Sequence, residues 1–386
     1  MGGTVTLHKF VAPEIVFGNG ARRLVGQYAR NLGAARVLLV TDDGVIAAGW
    51  AADVQRHIEA EGIRTVTFAS VSPNPRASQM MEGAAVYASE GCDVIVAVGG
   101  GSALDCAKGI GIVAAHGRHI LEFEGIDRVH QPSPPLICVA TTAGSSADIS
   151  QFVIVADPGA GAKKAIVSKA LVPDVALVDP ETTVTLTAYQ TACSGIDALS
   201  HAIEAFVSTA HSPITDTYAL ETVRAVSRYL PDALERPTDM AVREQLMLGS
   251  LKAGMAFSNT SLGVVHALAH AVGGQLDLAH GECIALLLPY VFTSNYAGAA
   301  ERYDAISDAL GLDMARLDAA ARPTAIAERL AALRDRVGLG GTLRAHGLTP
   351  SDLPALARQA ADDVCILTNP CRLSPQQLEA IYAAAL

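Results

Sequence analysis

The sequence predicts two unlike halves, an α/β half built on a parallel sheet followed by an all-α half. Three observations carry this prediction. Short β-branched runs alternate with longer amphipathic stretches up to about residue 180. Those runs are apolar almost throughout, as strands covered on both faces are. From about Thr187 onward, alanine- and leucine-rich helical periodicity takes over. With 386 residues the chain exceeds the roughly 250–300 at which one hydrophobic core stops growing, so two domains are expected, 1–184 and 185–386.

In chain order, the strands are predicted at Arg36–Val40, Arg64–Phe68, Asp93–Val98, Leu136–Ala140 and Val175–Val178. Helices are predicted between them, over Val45–Glu61 and Ala77–Glu90 for example. The stretch Gln151–Leu171 breaks the rhythm: two β-rich runs flank Asp157-Pro158-Gly159, the pattern of a hairpin. No repeat of solenoid period is present.

Composition excludes several classes of function. Half of the residues are hydrophobic and 17% are charged, which is incompatible with a disordered or low-complexity chain. The formal net charge is −11, from 28 basic against 39 acidic residues, and no basic block offers a face to nucleic acid. Seven cysteines (Cys92, Cys106, Cys138, Cys193, Cys283, Cys365, Cys371) with no Cys-x-x-Cys pair suggest buried thiols in a reducing compartment. The N-terminal stretch lacks a basic start followed by an apolar run, and no apolar run reaches 18 residues. A cytoplasmic protein with neither a membrane nor a nucleic-acid partner is therefore expected.

Two loops suggest a nucleotide. DVIVAVGGGSALDCAKGIGIV is a buried strand, a turn at Gly99-Gly100-Gly101-Ser102, and a helix from near Ala103. Glycines permit close approach of backbone to ligand, and a helix N-terminus offers free N–H groups to phosphate. The alternative is a plain structural turn, since Leu104 occupies the last glycine position of the dinucleotide fingerprint. After the next strand come Thr141-Thr142-Ala143-Gly144-Ser145-Ser146, small and hydroxylic residues where parallel sheets place ligands. Asp42, at the end of the first of these strands, is either an acceptor for a ribose 2′-hydroxyl, which favours NAD over NADP, or the N-cap of the next helix.

The second half carries histidines at helical spacing. Asp197 and His201 in SGIDALSHAIEAF share one helix face, as do His266 and His270 in GVVHALAHAVGG, and His280 comes after them. A lone histidine on an apolar helix is ordinarily a satisfied core residue, and Asp197–His201 could be a simple i,i+4 pair. Here several such groups lie among Ala, Leu and Val, where unpartnered imidazoles and carboxylates are costly. Convergence on one divalent ion satisfies them together, and an Asp with two or three His suits Fe²⁺, Zn²⁺, Mn²⁺ or Co²⁺.

GGGSALDCAKGIGI, the TTAG segment, SGIDALSHAIEAF and GVVHALAHAVGGQLDLAHGECIALLLP together resemble the iron-containing (group III) alcohol dehydrogenase family, in order and spacing, from about residue 5 to the end. The resemblance implies a dehydroquinate synthase-like fold: an α/β nucleotide-binding domain, a helical metal-binding domain and a cleft between them. It implies metal ligands at Asp197, His201, His266 and His280, with His270 beside the nicotinamide as a proton-handling catalytic residue. It implies NAD contacts from Asp42, Asn74, Gly100, Gly101, Ser102, Thr141, Thr142, Ser145 and Lys163, and a substrate pocket lined by Phe257 and Cys365. Fe²⁺ is the implied metal, with Zn²⁺ or another divalent ion possible. The implied reaction is hydride transfer between a short-chain primary alcohol, or its aldehyde, and NAD, in a homodimer or larger assembly. Glycerol dehydrogenase and maleylacetate reductase chemistry are the nearer alternatives, and a dehydroquinate synthase-like lyase a more distant one. The chain departs from the family pattern twice: TTAGSSAD stands where TTAGTGSE is usual, and Cys371 separates Asn369-Pro370 from Arg372.

Overall fold

The computed structural model describes residues 8–159 and 161–386. Its strands are β1 (Glu14–Phe17), β2 (Arg36–Val40), β3 (Arg64–Phe68), β4 (Val94–Gly99), β5 (Gly125–Ile126), β6 (Leu136–Ala140), β7 (Phe152–Asp157), β8 (Ala162–Val167) and β9 (Val175–Val178). Six of them form one sheet in the order β1-β9-β6-β4-β2-β3, with every pair parallel. Helices α1 (Val25–Asn31), α2 (Asp43–Ala47), α3 (Trp50–Glu59), α4 (Ala77–Ser89) and α5 (Gly101–His116) complete the first half.

Burial explains the near-continuous apolar runs. Along β2, Leu38 and Val40 enter a core with Met80 of α4 and Ile110 of α5. Val37 and Leu39 enter another core with Val25 of α1 and Val54 of α3. Because α3 and α4 lie on opposite faces, the order of strands reverses between β2 and β4, and a crevice opens at their carboxyl ends.

The five expected strands are present, the one at Asp93–Val98 displaced by one residue, and Gln151–Leu171 contains the antiparallel pair β7–β8. The helix expected over Val45–Glu61 is instead two helices. Gly49, in the left-handed region at φ 84°, ends one and starts the other. The short edge strand β1 and the two-residue β5 have no counterpart in the sequence pattern.

After a 3₁₀ turn at Pro180–Thr185 the chain is helical: α6 (Ala188–Val207), α7 (Pro213–Glu235), α8 (Met240–Thr260), α9 (Val264–Leu276), α10 (His280–Asn295), α11 (Ala300–Ala309), α12 (Arg322–Arg336), α13 (Leu353–Ala361) and α14 (Pro375–Ala385). Among the described residues no helix is long and apolar enough to cross a membrane. All seven cysteines are free thiols.

Several contacts join the halves, among them a hydrogen bond from Trp50, itself positioned by an ion-pair cluster of the first half, and the packing of α9 on β8. The guanidinium of Arg22, held by Asp53 at 2.8 Å and Asp179 at 2.7 Å, lies 4.8 Å from the centre of the Trp50 ring. The indole N–H of Trp50 donates to Thr185 Oγ1 at 2.9 Å. On the other side α9 lies against β8, with Gly274 so close that a Cβ there would stand 2.7 Å from Ala162 Cα.

Helix α10 opens with His280, and its second residue, Gly281, sits against α6: a Cβ at that position would lie 2.2 Å from the carbonyl oxygen of Cys193. Gly281→Ala must displace backbone rather than a flexible side chain. It is expected to destabilise the fold by about 1–3 kcal/mol, as overpacking does. The check is the thermal midpoint of the variant, and an unchanged midpoint would show that the two helices are free to separate.

Candidate functional site

The crevice beyond β2, β4 and β6 continues between the halves as a cleft of about 970 Å³ whose far end is walled by α6, α8 and α9. At the sheet end, the Gly99–Ser102 turn and the Thr141–Ser146 segment end the neighbouring strands β4 and β6 and pack directly on each other. A Cβ on Gly101 would lie 2.9 Å from Ser145 Oγ, and one on Gly100 would lie 3.1 Å from Thr142 Cγ2. These two glycines thus make room for the second loop as well as for a ligand. Gly100 is the N-cap of α5, whose first free N–H groups therefore open towards the cleft.

Asp42 is the N-cap of α2, and its second carboxylate oxygen is left over at the rim of the cleft. Its Oδ1 caps α2, accepting from Val45 N at 2.9 Å, and its Oδ2 faces Gly99 on the rim. Ser146, standing where a glycine is usual, adopts φ 49°. Its hydroxyl donates to the Ser250 carbonyl at 2.7 Å, tying this loop to α8. Ser145 remains on the cleft wall. Lys163, on β8, donates to Asn74 Oδ1 at 2.6 Å, and Asn74 in turn donates to Asp277 Oδ1 at 2.8 Å, so a polar chain crosses between the halves. Burial lowers the pKa of the Lys163 ammonium.

At the helical end the predicted residues converge. Asp197 and His201 project from α6, His266 and His270 from α9, and His280 from the start of α10. Asp197 Oδ1 lies 3.6 Å from the Nε2 atoms of His201, His266 and His280 alike. That separation is too long for a hydrogen bond. It does match donors arranged around one ion: ligand atoms about 2.1 Å from a tetrahedral centre stand about 3.4 Å apart. Asp197 Oδ1 and His266 Nε2 are also buried without a hydrogen-bond partner among the described residues. Both facts fit a divalent transition ion.

Electrostatics agree with this arrangement. Burial opposes ionisation of Asp197, but His201, His266 and His280 outweigh it and hold its carboxyl below the usual carboxylate range. Burial pushes His201 down to about 4 against the pull of Asp197, and pushes His280 down as well. Burial would lower His266 too, but Glu204 outweighs it and raises that ring to about 9.

His270 is set apart from this group. Its Nδ1 meets Asp363 Oδ2 at 2.8 Å, so its other nitrogen serves the cleft. Burial works against ionisation of Asp363, yet His270 holds it down to about 2. Phe257 stacks on His201 with ring centres 4.2 Å apart and, with Phe152, forms an apolar wall. Cys365 is fully buried beside His270 and Asp363 and is not among the residues lining the cleft. Every other predicted site residue lines it. Arg372 is exposed at the surface.

Three residues escape a reading of the sequence. Glu204 bonds to His266, Asp363 to His270, and Asp105 lines the cleft near the glycine turn. Glu204 had a readable signal, since it continues the Asp197–His201 face of α6 by three residues. Asp363 had none, because its histidine lies far away in sequence.

A sequence profile described as "Iron-containing alcohol dehydrogenase" matches residues 12–180, and one described as "Fe-containing alcohol dehydrogenase family, C-terminal" matches residues 191–386. The NAD-dependent methanol dehydrogenase of Bacillus methanolicus is 34% identical over 377 residues, 98% of this chain and 99% of that protein. The 1,3-propanediol dehydrogenase of Klebsiella pneumoniae is 36% identical over 382 residues, covering 97% and 98%. The crystal structure of a 1,3-propanediol oxidoreductase superposes with a TM-score of 0.94 at 34% identity, over 99% of this chain and 100% of that one.

Asp105 yields a test in pH. Burial pushes its carboxyl up to about 6, against the pull of Lys108 and of the Ile154 N–H. The folded chain therefore holds this proton to a higher pH than the unfolded chain, whose carboxyl titrates near about 4. Stability is lost as pH rises through this window. Asp105→Asn should raise the thermal midpoint at pH 8, by roughly 2–4 °C for each kcal/mol recovered, and change little at pH 4. An equal gain at both pH values would assign the effect to something other than the charge.

Proposed function

The chain belongs to the iron-containing alcohol dehydrogenase family, and from that membership we propose that its cleft transfers hydride between a short-chain primary alcohol, or the corresponding aldehyde, and NAD(H). The observation that carries this reading is the placement of three imidazole Nε2 atoms at 3.6 Å from one buried carboxylate oxygen, at the end of a cleft whose other end is two nucleotide-type loops. The relatives named above act on methanol and 1,3-propanediol, and the apolar wall of Phe257 and Phe152 suits substrates of that kind. Asp197, His201, His266 and His280 would hold the ion, Fe²⁺ by family. When bound, the ion would supply Lewis-acid polarisation of an alcohol or aldehyde oxygen, and the nicotinamide a hydride acceptor or donor.

The chain's own side chains do the rest. The start of α5 and the Thr141–Ser145 segment hold the pyrophosphate by their N–H and hydroxyl groups. Asp42 Oδ2 accepts from a ribose hydroxyl and repels a 2′-phosphate. Lys163 and Asn74 hold the cofactor side of the cleft. His270, with Nδ1 turned to Asp363, takes or gives the substrate proton at Nε2. Phe257 and Phe152 keep water from the reacting end.

The same proposal divides the chain at 184/185, between the two matched profiles, with the nucleotide on the first part and the ion on the second. It includes a homodimer or larger homo-oligomer in the cytoplasm.

NADH formation from a panel of short primary alcohols and diols should vanish when metal is stripped and return on anaerobic reloading with Fe²⁺. Silence of the reloaded enzyme, without NAD binding, would overturn the reading. His270→Ala should lower kcat by about 10²-fold or more while retaining bound ion. Asp363→Asn should lower kcat less, with KM for NAD unchanged. Loss of the ion from His270→Ala would instead make His270 a ligand.

A further inference from the structure

The strongest unassigned group in the helical half is Glu204, and its role rests on Asp197, His201, His266 and His280 being the ion site of the proposed function. Glu204 lies on α6, on the face that carries Asp197 and His201, and its side chain is 4% exposed. A buried carboxylate is costly unless donors surround it. Three do: Gly263 N at 3.0 Å, Val265 N at 2.6 Å and His266 Nδ1 at 2.6 Å.

Two of these donors belong to the first turn of α9, where N–H groups have no partner within the helix. Gly263 is the N-cap of α9 and has no side chain to satisfy them, so Glu204 caps the helix from its neighbour α6. The fit is close: a Cβ on Gly263 would stand 2.8 Å from Glu204 Oε1. A carboxylate at a helix N-terminus also opposes the positive end of the helix dipole. Asn369 Oδ1 accepts from Val264 N at 3.2 Å in the same turn, and Glu204 is the side chain that ties this start of α9, and with it His266 and His270, to α6.

The third donor concerns the ring itself. A neutral imidazole has one N–H, and when Nδ1–H is donated to a carboxylate the lone pair resides on Nε2. Nε2 is the His266 atom that faces Asp197 Oδ1. Among the described residues, neither His201 nor His280 meets a carboxylate at Nδ1; their carboxylate contact is Asp197, through Nε2. We propose that Glu204 is the positioning residue of the ion site: by holding His266 at Nδ1 it leaves Nε2 as the atom aimed at the ion, and it docks the helix on which that ligand sits.

Glu204→Gln tests this while preserving shape. The glutamine amide can still accept from a backbone N–H. Its NH₂ group turned to His266 would donate to Nδ1 and leave the hydrogen on Nε2, the wrong tautomer for a ligand. Co²⁺ affinity of metal-stripped protein is read by competition with a chelator, alongside the visible Co²⁺ spectrum and the thermal midpoint of the stripped protein. Glu204→Gln is expected to bind Co²⁺ about 10–100-fold more weakly, as loss of a carboxylate behind a ligating histidine does elsewhere. The double variant with His266→Ala is expected to bind no more weakly than His266→Ala alone, because Glu204 acts through that ring. Wild-type affinity in Glu204→Gln, or two additive losses, overturns the proposal. Should Glu204→Gln fail to fold, ¹⁵N-histidine NMR of the Zn²⁺-loaded wild-type protein decides. The resonance absent from His266→Ala should show Nδ1 protonated and Nε2 ligated, and ligation through Nδ1 overturns the proposal. A wild-type protein that takes up no Co²⁺ would overturn the ion site itself, an outcome distinct from uptake that Glu204→Gln leaves unchanged.

Discussion

A carboxylate in an apolar helical core is the constraint around which the second half is arranged. Asp197 is 5% exposed, on a helix otherwise rich in Ala, Ile and Leu, and among the described residues it forms no ion pair with a Lys or Arg. Its charge has to be met by something, and what surrounds it is a ring of imidazole nitrogens spaced as donors around one ion are, one from its own helix and two from further helices. Helices α6, α9 and α10 can supply those groups only if they pack at close range. The glycines at 281 and 263, with no side chain at the contacts, are what allow that approach. Packing density and ligand geometry are here the same requirement.

The first half answers to a different rule. Strands β2, β4 and β6 are neighbours, so the loops that end them stand side by side, and the reversal of strand order between β2 and β4 holds a crevice open beneath them. The hairpin β7–β8 extends from this half to touch α9, bringing Lys163 to Asn74 and on to Asp277. The cleft therefore has a wall of glycine- and hydroxyl-rich loops from one half and a wall carrying the Asp197–imidazole cluster from the other. Neither half contains the site alone.

Much of this is legible in the residues. Apolar runs of four to six residues mark buried strands because both faces of the sheet are covered. The i,i+4 spacing of Asp197–His201 and His266–His270 marks shared helix faces because helical periodicity is local. What is not legible depends on distant contacts. The short strand β1 is stabilised by pairing with β9, at the other end of its half. Asp363 is meaningful only beside His270, and Glu204 only beside the first turn of α9. The break at Gly49 shows the opposite failure: the hydrophobic pattern runs on through it, and a single left-handed residue decides the matter.

Trp50 is the chain's one tryptophan, and it stands at the junction of the two halves, with Arg22 over its ring and Thr185 at its N–H. An indole so placed is sensitive to the charge above it and to the polarity at its edge. The molecule thus carries a built-in optical gauge: its tryptophan emission comes from a single spot, and that spot is where the linker leaves the sheet. Any rearrangement of the linker is written into one fluorescence band, with no second fluorophore of the same kind to dilute it.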